Sequence, residues 1–238
     1  MCVRVNFGGL RMRISGLAIG LAALLTAGSA QAAVIFDNIT GQTAGGTFSL
    51  ATGNNGSPFG DSFSVSGSAI MNSVSVSLAD NSNTDGGSVS VYLVPDASGT
   101  PSSTNRVLNG KVLLGTILDS SLVSTASIKT LSTSIALTAG RYWIELVNSS
   151  DTANGGSGTV SNAFWTFNNG GAGVGTTGEF YSFANPTNTA FVSSSDSTGP
   201  FQMIVTATLP EPATMAILGV GMAGLGLVRR RQRGKSSL

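Results

Sequence analysis

Through the middle of the chain, apolar and polar residues alternate with a period of two. In the run Ile70–Leu78, Ile70, Val74, Val76 and Leu78 fall on one face, and Ser73, Ser75 and Ser77 on the other. Alternation of this kind marks a strand with one buried face. Ser88–Leu93 sets Val89, Val91 and Leu93 against Ser88, Ser90 and Tyr92, and Arg141–Val147 groups Tyr142, Ile144 and Leu146. Shorter runs are Val34–Phe36, Thr47–Leu50, Ser62–Val65, Val112–Leu118, Ile128–Leu137, Phe164–Phe167, Phe180–Phe183 and Met203–Thr208. Turn-forming clusters separate them at residues 80–87, at Ala139-Gly140 and at residues 168–171. No segment between residues 33 and 208 has a helical period. About ten short strands, each with one apolar face, predict an all-β fold: an antiparallel, jelly-roll-like sandwich. Residues 148–162 and 168–178 are its expected long loops.

The pattern changes at both ends. Ile14–Thr26 is apolar except for Ser15, follows Arg11 and Arg13, and leads to Ala30-Gln31-Ala32. That order of basic, apolar and small residues is the order of a secretory signal. It predicts a signal helix within residues 1–32, handled by the Sec translocon and signal peptidase, with cleavage between Ala32 and Ala33. Met12 is a second candidate start. At the other end, Pro210-Glu211-Pro212 precedes an uncharged run, Ala213–Val228, and then Arg229, Arg230, Arg231, Arg233 and Lys235. As a helix the run would be about 24 Å long, slightly short of a hydrocarbon core of ~30 Å. The expectation is one transmembrane helix over 213–228, with the basic tail 229–235 kept cytoplasmic. Residues 33–208 then form the ectodomain, and 209–238 the anchor segment.

Charge sharpens this division. The whole chain carries +1, yet its basic groups concentrate at the ends, leaving four basic and ten acidic groups in residues 33–208, about −6. A basic nucleic-acid surface is therefore excluded there. The chain has no histidine, and its single cysteine, Cys2, precedes the apolar N-terminal run. The ectodomain thus has no means to build a disulfide, a Cys/His zinc site, a Ser-His-Asp triad or a cysteine nucleophile.

Three patterns offer other chemistry, each beside a plainer reading. Asn81-x-Asn83-x-Asp85-Gly86 has the first half of an oxygen-rich calcium loop, but Tyr92 stands where a bidentate Glu belongs; the plainer reading is a solvated hairpin connection. Glu145 and Glu179 are candidates for a paired-carboxylate hydrolytic site; the plainer reading is a charge on a solvated sheet face. Tyr142, Trp143, Phe164, Trp165 and Phe167 would suit a sugar-stacking platform, best at Trp165 with Asn168 and Asn169. Core packing is the alternative for these aromatics.

Pro210-Glu211-Pro212, the glycine-containing apolar run and the arginine cluster together resemble the PEP-CTERM sorting signal. The resemblance implies a Gram-negative bacterium that makes exopolysaccharide. It also implies recognition by an exosortase, a membrane transpeptidase-like enzyme that cuts near the Pro-Glu-Pro element. The tail would then be an address that is removed, with an inner-membrane precursor facing the periplasm and a product at the cell surface or in the matrix. Phe36-Asp37-Asn38, Gly60-Asp61-Ser62-Phe63-Ser64-Val65 and Leu137–Ile144 resemble the choice-of-anchor β domains found with such tails. That likeness implies an extracellular sandwich and supplies no catalytic residue. The expected function is that of an exported, non-enzymatic surface or matrix protein associated with exopolysaccharide and biofilm. The alternative is a secreted carbohydrate-active enzyme or carbohydrate-binding module. No cofactor is expected beyond the calcium reading at 81–85.

Overall fold

Each alternating run becomes a strand, because extended backbone sends successive side chains to opposite faces and lets one face be buried. The computed structural model describes residues 32–51, 58–81, 84, 86–169, 173–177, 179–184, 191–195 and 200–210. In chain order the strands are β1 (Ala32–Asp37), β2 (Ala44–Ser49), β3 (Phe59–Val65), β4 (Ala69–Asp80), β5 (Ser88–Pro95), β6 (Ser103–Thr104) and β7 (Val107–Leu108). They continue as β8 (Val112–Leu118), β9 (Ser127–Leu137), β10 (Gly140–Asn148), β11 (Ala163–Asn168), β12 (Phe180–Ala184), β13 (Phe191–Ser195) and β14 (Met203–Thr208). Among the described residues no helix is long and apolar enough to cross a membrane. The expected signal helix and the helix over 213–228 lie outside those residues.

Among the described residues, two six-stranded antiparallel sheets carry the fold, and β6–β7 forms a separate small hairpin. The back sheet runs β13-β12-β3-β10-β5-β8. The front sheet is forked at β4. Val76 pairs with Lys129 of β9 on one edge and Met203 of β14 on the other, whereas Leu78 pairs with Ser127 of β9 and Trp165 of β11. Its twelve residues are long enough for β14 and β11 to lie end to end along one edge. β1 extends the sheet beyond β14, and β2 extends it beyond β11. The two sheets together hold twelve strands, more than the eight of a jelly roll, and in the front sheet the length of β4 makes room for the extra ones.

The inner faces share one core. Val74, Val76 and Leu78 of β4, with Met203 and Val205 of β14, meet Val89, Val91, Ile144, Leu146, Phe59 and Phe63 of the back sheet. Trp165 stacks on Phe201 at 4.6 Å between ring centroids, and Phe59 meets Phe201 edge-on at 5.5 Å. Such ring pairs add about 0.5–1.5 kcal/mol beyond their buried area. In β1 a bulge between Val34 and Phe36 keeps Val34 opposite Thr206 yet sets Phe36 opposite Val205, so Phe36 enters the core. Ahead of β10, the Tyr142 hydroxyl donates to the Thr138 carbonyl at 3.2 Å and accepts from the Thr138 N–H at 3.1 Å. This tyrosine corner fixes the turn into the strand, as in many sandwiches.

A second apolar cluster covers the outer face of the back sheet. Val94, Leu108, Trp143, Val147 and Phe191 are buried there, with Tyr92 and Phe180 packed against them. Leu108 comes from the β6–β7 hairpin, and Phe191 from β13.

Candidate functional site

The end of β14 is set by local chemistry. Pro210 has no N–H to continue a ladder, and it restricts the residue before it to extended conformations. The strand therefore stops at Thr208, and Leu209 and Pro210 are exposed. Thr208 pairs with Ala32 of β1 and with Ile70 of β4. The first residue of β1 and the last of β14 are thus neighbours. The expected cleavage between Ala32 and Ala33 falls at the first step of β1, where both alanines are exposed. Ala30, Glu211, Pro212, Arg229, Arg230, Arg231 and Arg233 lie outside the described residues.

Polar groups are also gathered between the sheets. Asn38, immediately after β1, donates its amide to Glu179 Oε1 at 2.8 Å, to the Phe201 carbonyl at 2.9 Å and to Asp61 Oδ2 at 3.3 Å. Its Oδ1 accepts the Met203 N–H at 2.7 Å. Asn168 donates to the Asn38 carbonyl, and Gln202 donates to Asn168 Oδ1 at 2.6 Å. All five side chains of this network are buried, and buried polar groups need hydrogen-bond partners of this kind. Asn38 and Asp61 come from two of the three sequence segments that carry the choice-of-anchor likeness, and here they touch. Beside them, burial alone would push the Asp37 carboxyl up. Hydrogen bonds from the Thr40 hydroxyl and from the Thr40 and Ile39 N–H groups outweigh it and hold Asp37 below its ordinary value of 3.8.

Glu145 is different. It projects from β10 on the face of Trp143 and Val147 and is fully buried. Ser182 donates to its Oε1 at 2.9 Å, and among the described residues Oε2 has no hydrogen-bond partner. Burial raises its pKa well above the ordinary 4.5, against the smaller opposing effect of the Ser182 hydrogen bond. Gly60 makes the space: a Cβ at that position would lie 1.9 Å from Glu145 Oε1.

These positions correct several readings of the sequence. Glu145 is not a charge on a solvated face, because the second apolar cluster lies over it. Trp165 has no exposed surface; it is packed in the core with its Nε1–H donating to the Gln202 carbonyl at 2.9 Å. Asn168 is buried in the polar network, so neither residue presents itself to a sugar, and only Asn169 of that trio is exposed. Trp143 is likewise buried, donating to Asp96 Oδ1 at 2.8 Å. Sequence signals for this existed. Trp165 alternates in phase with Ala163 and Phe167, and Glu145 is flanked two residues away by Trp143 and Val147. Asn81 is exposed, while Asn83 and Asp85 lie outside the described residues. Among the described residues no three acidic groups converge on a metal position.

A β domain whose last strand runs directly into a proline-bounded segment has the layout of a protein delivered with a C-terminal address. Residues 208–231 match the PEP-CTERM protein-sorting motif. The chain carries that motif, which implies export, an exosortase as processing partner and a membrane-anchored precursor of a surface protein. No curated protein matches the chain.

Proposed function

We propose that this is a non-enzymatic surface or matrix protein of a Gram-negative cell, held in an exopolysaccharide-rich layer after release from the inner membrane. The sorting motif at 208–231, contiguous with β14, is the observation that carries the reading. Export through the Sec translocon and removal of residues 1–32 by signal peptidase precede it. The front sheet supplies the surface for a neutral glycan. Its outward positions on β4, β9 and β14 include Ser73, Thr130, Ser132, Thr206 and Thr208, with the exposed Ile70 and Ile128 among them and no charge. Hydrolysis by a carboxylate pair asks for two carboxyls facing a common cleft, whereas Asp61, Glu145 and Glu179 are enclosed. That enclosure supports a binding or structural role over a catalytic one. No metal is required in this reading, so a chelator leaves thermal unfolding unchanged.

The test is a pair of variants in a host that contains an exosortase. Replacing Pro210-Glu211-Pro212 with three alanines is expected to leave uncleaved protein in the inner membrane. Surface protein of normal size and yield from that variant would remove the sorting reading. Ser132→Glu with Thr206→Glu is expected to lower retention by the native extracellular polysaccharide without changing sorting. Unchanged retention would remove the front sheet as the contact surface.

A further inference from the structure

Asn154 closes a short 3-10 turn, Thr152–Asn154, and aims its amide at the β6–β7 hairpin. It is almost fully buried, as is Asp151 three residues before it. Asn154 Oδ1 accepts the Leu108 N–H at 2.9 Å, and Lys111 Nζ lies 3.4 Å from the same oxygen. Asn154 Nδ2 donates to Asp151 Oδ2 at 3.0 Å and to the Arg106 carbonyl at 3.1 Å. Lys111 Nζ is positioned further by the Asn154 carbonyl at 2.7 Å and by the Tyr92 ring, whose centroid is 5.0 Å away. Arg106 fixes Asp151 through a 3.3 Å ion pair. An amine, a carboxamide carbon, a donor on the carboxamide oxygen and a carboxylate on the carboxamide nitrogen therefore occupy one half-enclosed site.

We propose that Lys111 and Asn154 condense into an intramolecular isopeptide bond, with Leu108 N–H as the oxyanion donor and Asp151 as the proton carrier. The step balances without an oxidant or cofactor. Neutral Lys111 Nζ attacks Asn154 Cγ and forms the Nζ–Cγ bond, and the carbonyl electron pair moves to Oδ1. The Leu108 N–H already points at that oxygen, so its charge develops against a donor in place. A proton passes from Nζ to Asp151 and on to Nδ2. The Cγ–Nδ2 bond then breaks, ammonia leaves, and the carbonyl re-forms as a secondary amide. Attack requires an uncharged amine. Burial moves Lys111 in that direction, lowering its pKa, while the charge of Asp151 opposes the shift. The product ties residue 111 to residue 154, closing a loop between two segments that cover the back sheet. In a domain without cysteine, it does the work an exported protein would otherwise assign to a disulfide.

Peptide mapping tests the proposal on the full chain purified after export. Digestion at Lys, Arg and Glu is expected to give one branched species joining residues 107–129 to residues 146–179. Its mass should be about 17 Da, one ammonia, below the sum of the two peptides. Lys111→Arg removes the nucleophile and should abolish the species, and Asp151→Asn should greatly reduce it. Asn154 precedes Gly155, and cyclisation of Asn154 on its own backbone would lose the same mass. A loss confined to peptide 146–179 and persisting in Lys111→Arg would overturn the proposal. So would recovery of peptides 112–129 and 146–179 at unaltered mass.

Discussion

On the front sheet, outward positions carry Ser73, Ser75, Thr130 and Thr206, joined across strands by hydroxyl pairs: Ser73 to Thr206 at 2.7 Å, and Ser75 to Thr130 at 2.8 Å. On the back sheet, the equivalent positions of β5 and β10 carry Tyr92, Val94, Trp143, Glu145 and Val147, and the β6–β7 hairpin and β13 help to cover them. Both faces come from the same two-residue alternation. What separates them is the chemistry of the second phase: mainly small hydroxyls on one sheet, with Ile70 and Ile128 exposed among them, and mainly large apolar groups on the other. A strand apolar in both phases is buried on both faces, and the chain supplies the cover from its own loops. The difference teaches that the outer face of a sheet must be read from its residues rather than assigned to water.

The largest expected contrast follows from burial. Trp143→Ala should cost about 3–5 kcal/mol, the range for removing a buried aromatic, and it would also strip Asp96 of its indole partner. Ile70 does not share the face of Val74 as the alternation predicts: the irregularity between Met71 and Ser73 turns it outward, at 45% exposure, so Ile70→Ala should stay within about 0.5 kcal/mol. Urea unfolding of both variants measures the contrast, and equal losses would break it.

Gly60→Ala comes next. Its Cβ would collide with a carboxyl that is itself enclosed, and overpacking of this kind costs about 1–3 kcal/mol. Shortening the side chain in the double variant Gly60→Ala/Glu145→Ala should recover part of that loss, which a double-mutant cycle reads as coupling. Gly67→Ala, where no atom lies within 4 Å of the added carbon, is the control. A Gly60→Ala protein as stable as the control would mean that the Glu145 pocket is loose.

Much of this was legible beforehand. Alternation located β4, β5, β9, β10 and β14 to within a few residues, because apolar residues recur on the inner phase of each, although β9 also places Lys129 there, opposite Val76. The core role of Trp165 was also available from its phase. The fork at β4 was not, since strand length reveals nothing about which partners share an edge. β13 was missed because Phe-Val-Ser-Ser-Ser offers too few apolar positions to define a period. The buried network of Asn38, Asp61 and Glu179 joins residues up to 141 positions apart, and no local pattern encodes such a meeting. The sorting segment was the reverse: its signal is entirely local, so it could be read without any fold.

Acidity separates the buried carboxyls by sign. Glu145 has a raised folded pKa, so the native state holds a proton that the unfolded chain releases above about 4.5. Stability should fall as pH rises from there towards the folded value. Glu145→Gln should flatten that fall and raise the melting temperature at neutral pH. Asp37 has a lowered folded pKa, so its contribution is present above 3.8 and lost as pH falls through the folded value. Asp37→Asn should weaken the acid-side loss only. Melting curves between pH 3 and 8 measure both, and a Glu145→Gln profile parallel to the parent would contradict the enclosed carboxyl.

The smallest effect is expected on the front face itself. Thr130→Val keeps the shape of the side chain and removes the hydroxyl that meets Ser75. Cross-strand pairs of this type are worth about 0.2–1 kcal/mol. Ser75 is almost covered, so its hydroxyl loses a partner, but Thr130 is exposed and water is adjacent. The loss should therefore sit at the low end of that range, and Ser75→Ala/Thr130→Val together should cost no more than either alone, since neither variant then strands a polar group. If the double variant instead unfolded several kcal/mol more easily, the hydroxyl pairs would be holding the sheet together. The front face would then have to be regarded as structural, in the same sense as the covered face behind it.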